Sequence, residues 1–200
     1  MKNATTILTI ILVSALGVFA QTKTISADEV VKQIASGKTL AIENAIVGGD
    51  LDLTNLPDQI NDAIYSEKGK TARVFSAIIN QTVAFKNVKF AGSVNFFRSE
   101  SDAKEIREYR VQFKDAVAFE NCAFEKAVNF ELTNFDGGVS FANSVFKQTP
   151  LFVRVGLEKS FDLRGTIFER NAIFQLTQNN PRRTVSVVEL ETILRKSLEN

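Results

Sequence analysis

The clearest pattern in the chain is a grid of phenylalanines separated by alternating steps of five and six residues. From Phe113 to Phe152 the steps alternate strictly, beginning and ending with a step of six. Such steps do not hold one face of an α-helix, so the pattern excludes a helical repeat. Thirteen of the seventeen phenylalanines fall on the grid: Phe85, Phe90, Phe96, Phe113, Phe119, Phe124, Phe130, Phe135, Phe141, Phe146, Phe152, Phe168 and Phe174.

A second track of mostly small or β-branched residues stands two positions before each grid phenylalanine. Val117, Cys122, Val128 and Val139 are examples. Residues i−2 and i point to the same side of an extended segment. Each unit is therefore predicted to be a very short strand with two inward side chains and outward polar residues between them.

The run AFENCAFEKAVNFELTNFDGGVSFANSVF, residues 118–146, resembles the pentapeptide-repeat family in its Phe-rich form. The resemblance covers about residues 40–175. It implies an all-β solenoid, a right-handed quadrilateral parallel β-helix of about five coils, with four repeat units per coil. Two five-residue and two six-residue units then give a coil of about 22 residues.

A coil of this length predicts which residues stack on neighbouring coils. Outward charges would also alternate in sign, as in Lys114–Asp136 and Glu125–Lys147–Glu169. The predicted inward columns are Phe113–Phe135–Leu157, Phe119–Phe141–Leu163, Phe124–Phe146–Phe168 and Phe130–Phe152–Phe174.

Short helices are predicted to cap both ends of the solenoid. Ser26 and Glu29 form a capping box before a helix over 27–36, within an N-terminal cap at 21–39. A second capping box, Ser186 with Glu189, precedes an apolar helical pattern over 187–198 in the segment 176–200. That helix either covers the last coil or forms a homodimer contact.

Two segments, residues 54–73 and 97–112, break the grid inside the repeat region. The second is twelve residues longer than a five-residue step, and Ser99 suggests the cap of a helical turn in it. Insertions in a solenoid emerge from one face, which is often the binding face. The insertions are either tolerated surface loops or an interaction loop, whose candidate residues are Arg98, Arg107, Tyr109, Arg110 and Tyr65.

Residues 1–20 have the pattern of a secretory signal peptide. Lys2 precedes an apolar run from Ile7 to Phe19, and Ala20 ends a suitable cleavage site. The run is shorter than the roughly 20 residues of a membrane span. The alternative is an uncleaved anchor. The sequence thus predicts a secreted or periplasmic protein with no membrane span after cleavage.

The amino-acid composition limits the kinds of catalytic and metal sites that the chain can form. The chain has no His, one Cys and a net charge of +1. These numbers exclude His-based catalytic schemes, His metal sites and thiolate clusters, and they give no reason to expect nucleic acid as a partner. No cofactor, metal or catalytic residue is predicted. Cys122 falls on the inward track and is predicted to be a small buried residue. Asp50 and Asp52 are predicted to lie in a turn rather than to form a calcium site.

The sequence therefore predicts an exported, non-enzymatic scaffold that is structural or binds a protein or envelope component. The alternative is a β-helix that binds or cleaves envelope polysaccharide through carboxylates and arginines. Mimicry of duplex DNA, known in the resembling family, requires a strongly negative cytoplasmic rod. After loss of Lys2 this chain has as many basic as acidic residues, so that activity does not transfer.

Overall fold

The computed structural model describes residues 23–176, most of which lie in short strands. The first elements are β1 (Lys23–Ser26), α1 (Ala27–Ala35), β2 (Leu40–Gly48), β3 (Leu51–Asp52), a 3-10 turn (Leu53–Asn55), β4 (Ile60–Glu67), β5 (Lys70–Ile79), β6 (Val83–Phe90), β7 (Val94–Asn95), β8 (Phe97–Ser101) and β9 (Glu105–Phe113). The strands that follow are β10 (Val117–Glu120), β11 (Ala123–Phe124), β12 (Val128–Asn129), β13 (Asn134–Phe135), β14 (Val139–Ser140), β15 (Val145–Phe146), β16 (Leu151–Leu157), β17 (Phe161–Asp162), β18 (Ile167–Phe168) and β19 (Ile173–Leu176).

Within residues 23–176 the strands form two sheets, in which pairing between successive turns of the chain is parallel. Val117 pairs with Val139, and Val139 pairs with Phe161. Phe124 pairs in the same way with Phe146. In each pair the later residue stands two five-residue and two six-residue steps after the earlier one. This spacing confirms the predicted coil length over this part of the chain. In the range 23–176 no helix is long and apolar enough to cross a bilayer.

The inward phenylalanines stack face to face along the predicted columns. Phe113 and Phe135 have ring centroids 5.4 Å apart, and Phe124 and Phe146 have theirs 4.5 Å apart. All the grid phenylalanines from 85 to 152 are buried. Burial of one such ring contributes about 1.5–3 kcal/mol, so the columns are the main source of stability in the fold.

The columns continue into the earlier coils, where each coil is longer. Phe85 pairs with Phe119, and the separation between these two residues is the length of one regular coil plus twelve residues. Ile42 pairs with Phe85, and the separation between these two residues is the length of one regular coil plus twenty-one residues. The insertions therefore leave the coil and return to the same register.

One corner of the coil is lined by a column of asparagines in the left-handed backbone region. Asn44, Asn87, Asn121 and Asn143 have φ between 52° and 57°. Asparagine tolerates this conformation better than most residues. Elsewhere the coils approach so closely that a Cβ on Gly137 would lie 2.1 Å from the carbonyl carbon of Asp115, so only glycine fits there.

Helix α1 precedes the first coil. The Ser26 side chain accepts a hydrogen bond from the Glu29 N–H at 3.2 Å, as the predicted capping box requires. The helix ends at Ala35, one residue earlier than the predicted range, and buries Val30 and Ile34 in the same core as the coil residues.

Outward charges pair between coils. The Lys114 and Lys147 ammonium groups lie 2.9 Å from the carboxylates of Asp136 and Glu125, which confirms these two predicted pairs. Glu125 also faces Lys89 of the preceding coil at 3.5 Å. Since opposite charges on adjacent strands stabilise a sheet, these residues have a structural role.

The two insertions form a pair of hairpins that project from one side of the coil. Strand β4 pairs antiparallel with β5, β5 pairs parallel with β9, and β9 pairs antiparallel with β8. We call residues 60–76 and 97–110 the wing. Its strand order is β4-β5-β9-β8, and β5 and β9 carry it directly into the coil.

The prediction of a helical turn near Ser99 is wrong, because residues 97–101 are strand β8. Asp102 instead closes the hairpin turn, where its Oδ1 accepts hydrogen bonds from the N–H groups of Lys104 and Glu105, each at 2.8 Å. In isolation this local pattern resembles a helix cap, but the long pairing between β9 and β5 favours strand. The predicted signal peptide at 1–20 and helix at 187–198 lie outside the described residues.

Candidate interaction surface

All five candidate interaction residues lie in the wing, although they come from two insertions. Tyr65 is on β4, Arg98 is on β8, and Arg107, Tyr109 and Arg110 are on β9. Side chains alternate between the two faces of a sheet. The cross-strand partners therefore place Arg98, Arg107 and Tyr109 on one face, and Tyr65 and Arg110 on the other.

An aromatic stack forms the centre of the first face. The Tyr109 ring stacks on Phe75 of β5, with centroids 5.3 Å apart. On β8, the guanidinium carbon of Arg98 lies 4.1 Å from the centroid of the same Tyr109 ring, a cation–π contact. Arg98 also donates a hydrogen bond from Nε to the Thr54 hydroxyl at 3.2 Å and contacts Glu100. The stack thus joins the two hairpins to the turn that follows β3.

Arginines and carboxylates alternate farther out on the first face. The carboxylate of Glu105 accepts from Arg73 Nε at 2.5 Å and pairs with Arg107 at 2.7 Å. Hydrogen bonds from Arg107 and then Arg73 hold the pKa of Glu105 below its ordinary value. Hydrogen bonds from backbone N–H groups lower the pKa of Asp102 in the same region.

A buried carboxylate forms the centre of the second face. Glu108 is only 6% exposed. It accepts a hydrogen bond from the Tyr65 hydroxyl at 2.9 Å and pairs with Arg110. Burial and then the Glu108 hydrogen bond raise the pKa of Tyr65. Among residues 23–176, the buried Nε of Arg110 has no hydrogen-bond partner. Glu108 therefore connects the outermost strand β4 to β9 across β5.

A comparison with protein families identifies the type of repeat in the coils next to the wing. The family model for pentapeptide repeats matches residues 109–155, in nine copies. The chain contains a pentapeptide-repeat segment. No curated protein and no solved structure matches the chain.

The pentapeptide-repeat segment begins at Tyr109 within β9, so one side of the wing is continuous with it. The parallel register extends the same columns beyond the match, back to Ile42 and on to Phe174. The wing therefore departs from the repeat pattern that the coils on both sides of it keep.

Two acidic residues of the first coil, Asp50 and Asp52, have structural partners. Asp50 accepts from the Ser93 N–H at 2.7 Å, and this bond lowers its pKa. Asp52 accepts from the Thr54 N–H at 2.9 Å. In the described part of the chain, no group of three His, Cys, Asp or Glu residues is placed to hold a metal ion.

Cys122 is 1% exposed, with its thiol 3.5 Å from the carbonyl oxygens of Phe85 and Glu120. Burial raises the pKa of this thiol to about 12. The prediction of a small buried residue on the inward track is confirmed.

The sequence interpretation missed Phe75, Glu108 and Arg73 as parts of this surface. Phe75 stands one residue after a grid position and Glu108 is one of many charges in the insertion. Their contacts depend on pairing between β5 and β9, which are separated by a whole coil. The one available signal was that Phe75 and Tyr109 have the same separation along the chain as Phe85 and Phe119.

Proposed function

We propose that this protein is an exported, non-enzymatic scaffold that binds a protein partner through the wing. The observation that carries the proposal is the convergence of both insertions into one four-stranded projection. On the coils, the grid phenylalanines from 85 to 152 face inward, and several outward charges pair between coils, as Glu131 does with Arg154. The wing presents partly exposed Tyr, Phe and Arg side chains, and Tyr and Arg are enriched at binding hot spots.

The proposal includes a finer description of the solenoid, with right-handed, four-sided coils. The regular coil register supports it, since the family's alternating units give four short sides per coil. In the last described coil, Phe161, Phe168 and Phe174 are only partly buried, although they pack against the core. The apolar pattern in 187–198 suits a helix that covers them, and α1 covers the first coil.

Capture of a partner by wing variants tests the binding role. The mature protein is used as bait with envelope extract, beside Tyr109→Ala and Arg98→Ala variants. We expect one partner to be retained by wild type and lost, by tenfold or more, from both variants. Arg154→Ala is the matched control, because it removes an arginine ion pair on the coil. A partner that binds all four proteins equally would contradict the wing as the binding surface.

If the protein cleaved a polysaccharide, the scaffold proposal would be replaced by the alternative of a β-helix enzyme that acts on envelope polysaccharide. No observation on residues 23–176 favours that alternative, since Glu100, Glu105 and Glu108 are each engaged by an arginine. Incubation with envelope polysaccharides, followed by detection of new reducing ends, is the direct measurement. Activity that disappears in Glu105→Gln or Glu108→Gln would establish the enzyme.

Export is supported by the sequence of residues 1–20. Expression of the full chain, followed by fractionation and N-terminal sequencing, tests it. We expect mature protein outside the cytoplasm, beginning at Gln21. Uncleaved protein in the cytosol would contradict export.

A further inference from the structure

The outer edge of β4 is open along its length. Strand β4 pairs with β5 on one side, and within residues 23–176 no strand pairs with its other side. Ile60, Ile64 and Tyr65 on this strand are 48%, 60% and 38% exposed. An unpaired strand edge offers free N–H and C=O groups, and apolar side chains along it favour addition of another strand.

The opposite edge of the wing is protected. Strand β8 has five residues and presents Arg98 and Glu100, with Ser99 and Ser101 beside them. Short length and charge are the usual means by which proteins block edge pairing. The wing therefore has one blocked edge and one open edge.

We infer that β4 pairs antiparallel with β4 of a second copy of this chain, which joins two wings into one sheet. This inference goes beyond the proposed function, since self-association through β4 does not require any further partner. A two-fold axis makes an antiparallel pair of identical strands self-complementary.

The bulge in β4 selects the register of this pair. The regular pairing of β4 is interrupted between Asn61 and Ala63, which leaves Ala63–Glu67 as regular strand. A two-fold axis that pairs this stretch with itself passes beside Tyr65. The two Tyr65 residues then lie opposite each other, and Ile64 lies opposite Ser66 of the second copy. The Tyr65 ring is already held by its hydrogen bond to Glu108, so little side-chain freedom is lost.

Charge complementarity favours a second copy as the occupant. In the same register, Asp62 at the bulge of each copy lies next to Lys68 in the hairpin turn of the other, so the axis places two pairs of opposite charge together. One carboxylate oxygen of Asp62 accepts a hydrogen bond from the Ser76 hydroxyl of its own chain, which leaves its other oxygen for Lys68. Lys68 stands in the hairpin turn with its side chain 86% exposed, and its contact with the adjacent Glu67 is long, at 3.9 Å. Its ammonium group can therefore reach across the interface. The chain has a net charge of only +1, so there is little overall repulsion between copies.

Disulfide trapping tests the register. Residues directly opposite in an antiparallel pair have Cα atoms about 4.5–5.5 Å apart, which a disulfide spans. We expect purified Tyr65→Cys to form a covalent dimer under mild oxidation. In Ser66→Cys the two Cα atoms lie roughly 8 Å apart, and we expect little cross-linking. Both variants keep the buried Cys122. Equal cross-linking of both, or none in Tyr65→Cys, would overturn the register.

Charge reversal with rescue tests the interface without changing Tyr65. An edge contact of this size is weak, so sedimentation is run up to about 1 mM protein. We expect Lys68→Glu to raise the dimer dissociation constant roughly three- to tenfold, and Asp62→Lys added to it to restore wild-type association. Lys104→Glu, in the other hairpin turn, is the control and should change nothing. The inference would be overturned if the wild-type protein were a monomer at every concentration. It would also be overturned if Lys68→Glu left a dimer unaffected, as expected of a dimer that forms through the C-terminal helix.

Discussion

Phe135 shows how strictly the coil interior depends on single side chains. It is fully buried, with Phe113 on one side in its column and Phe130 beside it. We predict that Phe135→Asp prevents folding, because an unpaired carboxylate would replace a ring whose loss alone costs about 3–5 kcal/mol. Thermal unfolding followed by circular dichroism measures this. Asn134→Asp, one residue away and exposed, is the control and should melt like wild type. Wild-type melting of Phe135→Asp would refute the columns.

Cys122 provides a chemical probe of the same interior. Its thiol is buried, and burial raises the thiol pKa to about 12, so very little reactive thiolate is present at pH 8. We predict that a thiol reagent such as iodoacetamide leaves the native protein unlabelled for hours and labels it fully in concentrated guanidinium. An exposed cysteine introduced as Ala41→Cys serves as the positive control. Rapid labelling of native Cys122 would mean that the coil opens readily there.

At the scale of the strand elements, ion pairs between coils make stability depend on pH. The hydrogen bond from Lys147, followed by the charges of Lys147 and Lys89, holds the pKa of Glu125 below its ordinary value. A carboxyl whose pKa is lowered on folding stabilises the protein above its unfolded pKa, about 4.3, and loses that effect as the pH falls through the folded value.

We therefore predict that Glu125→Gln lowers Tm at pH 7, by no more than about 3 °C because the pair is partly exposed. The difference from wild type should shrink below about pH 4. Thermal melts at several pH values measure it, with Glu43→Gln as a carboxamide control on the first coil. A difference that stays constant down to strongly acidic pH would mean that Glu125 acts through packing rather than charge.

The wing hairpins are held together by Glu108. We predict that Glu108→Ala loosens β4 without affecting the coil, because it leaves the Arg110 charge and the Tyr65 hydroxyl without their partner. The local cost is about 1–3 kcal/mol, the penalty for leaving a buried polar group without its partner. Hydrogen exchange should speed up by tenfold or more in peptides covering 60–79 and stay unchanged in 118–146. Glu100→Ala, which removes a more exposed pair, should have a small effect. Faster exchange throughout the chain would contradict a local role.

The contrast between coil and wing explains what the sequence could predict. Each coil unit repeats the same environment, so Phe113, Phe135 and their successors carry a local period that a single sequence reveals. The wing has no period, and its pairing joins Phe75 to Tyr109 across a coil. Tyr65 and Tyr109 are still predicted as candidates, because they lie in the two insertions that break the grid and insertions in a solenoid often form its binding face. The helical turn predicted near Ser99 is wrong because a hairpin turn, here closed by Asp102, and a helix cap use the same side-chain-to-backbone hydrogen bonds.

At the scale of the whole molecule, the solenoid tolerates insertions only when the chain returns in register. The coil that contains the second insertion exceeds the regular length by twelve positions, as the pairing of Phe85 with Phe119 shows. Removal of residues 98–109 would place Phe113 five positions after Phe96, as in a regular unit. We predict that this deletion keeps a folded coil, with cooperative melting and protection in 118–146, while it removes β8 and most of β9.

Deletion of residues 98–108, one fewer, is the matched control. It leaves the chain one residue too long at the next corner, and a slip of one residue turns inward side chains to the opposite face of a strand. Val111 and Phe113 would then point outward at the junction with the repeat segment. We expect this protein to melt at a clearly lower temperature than the longer deletion, although it retains more of the native sequence. Equal stability of the two deletions would show that coil register does not constrain the insertions, and that the wing's position relative to the columns is not fixed by the repeat.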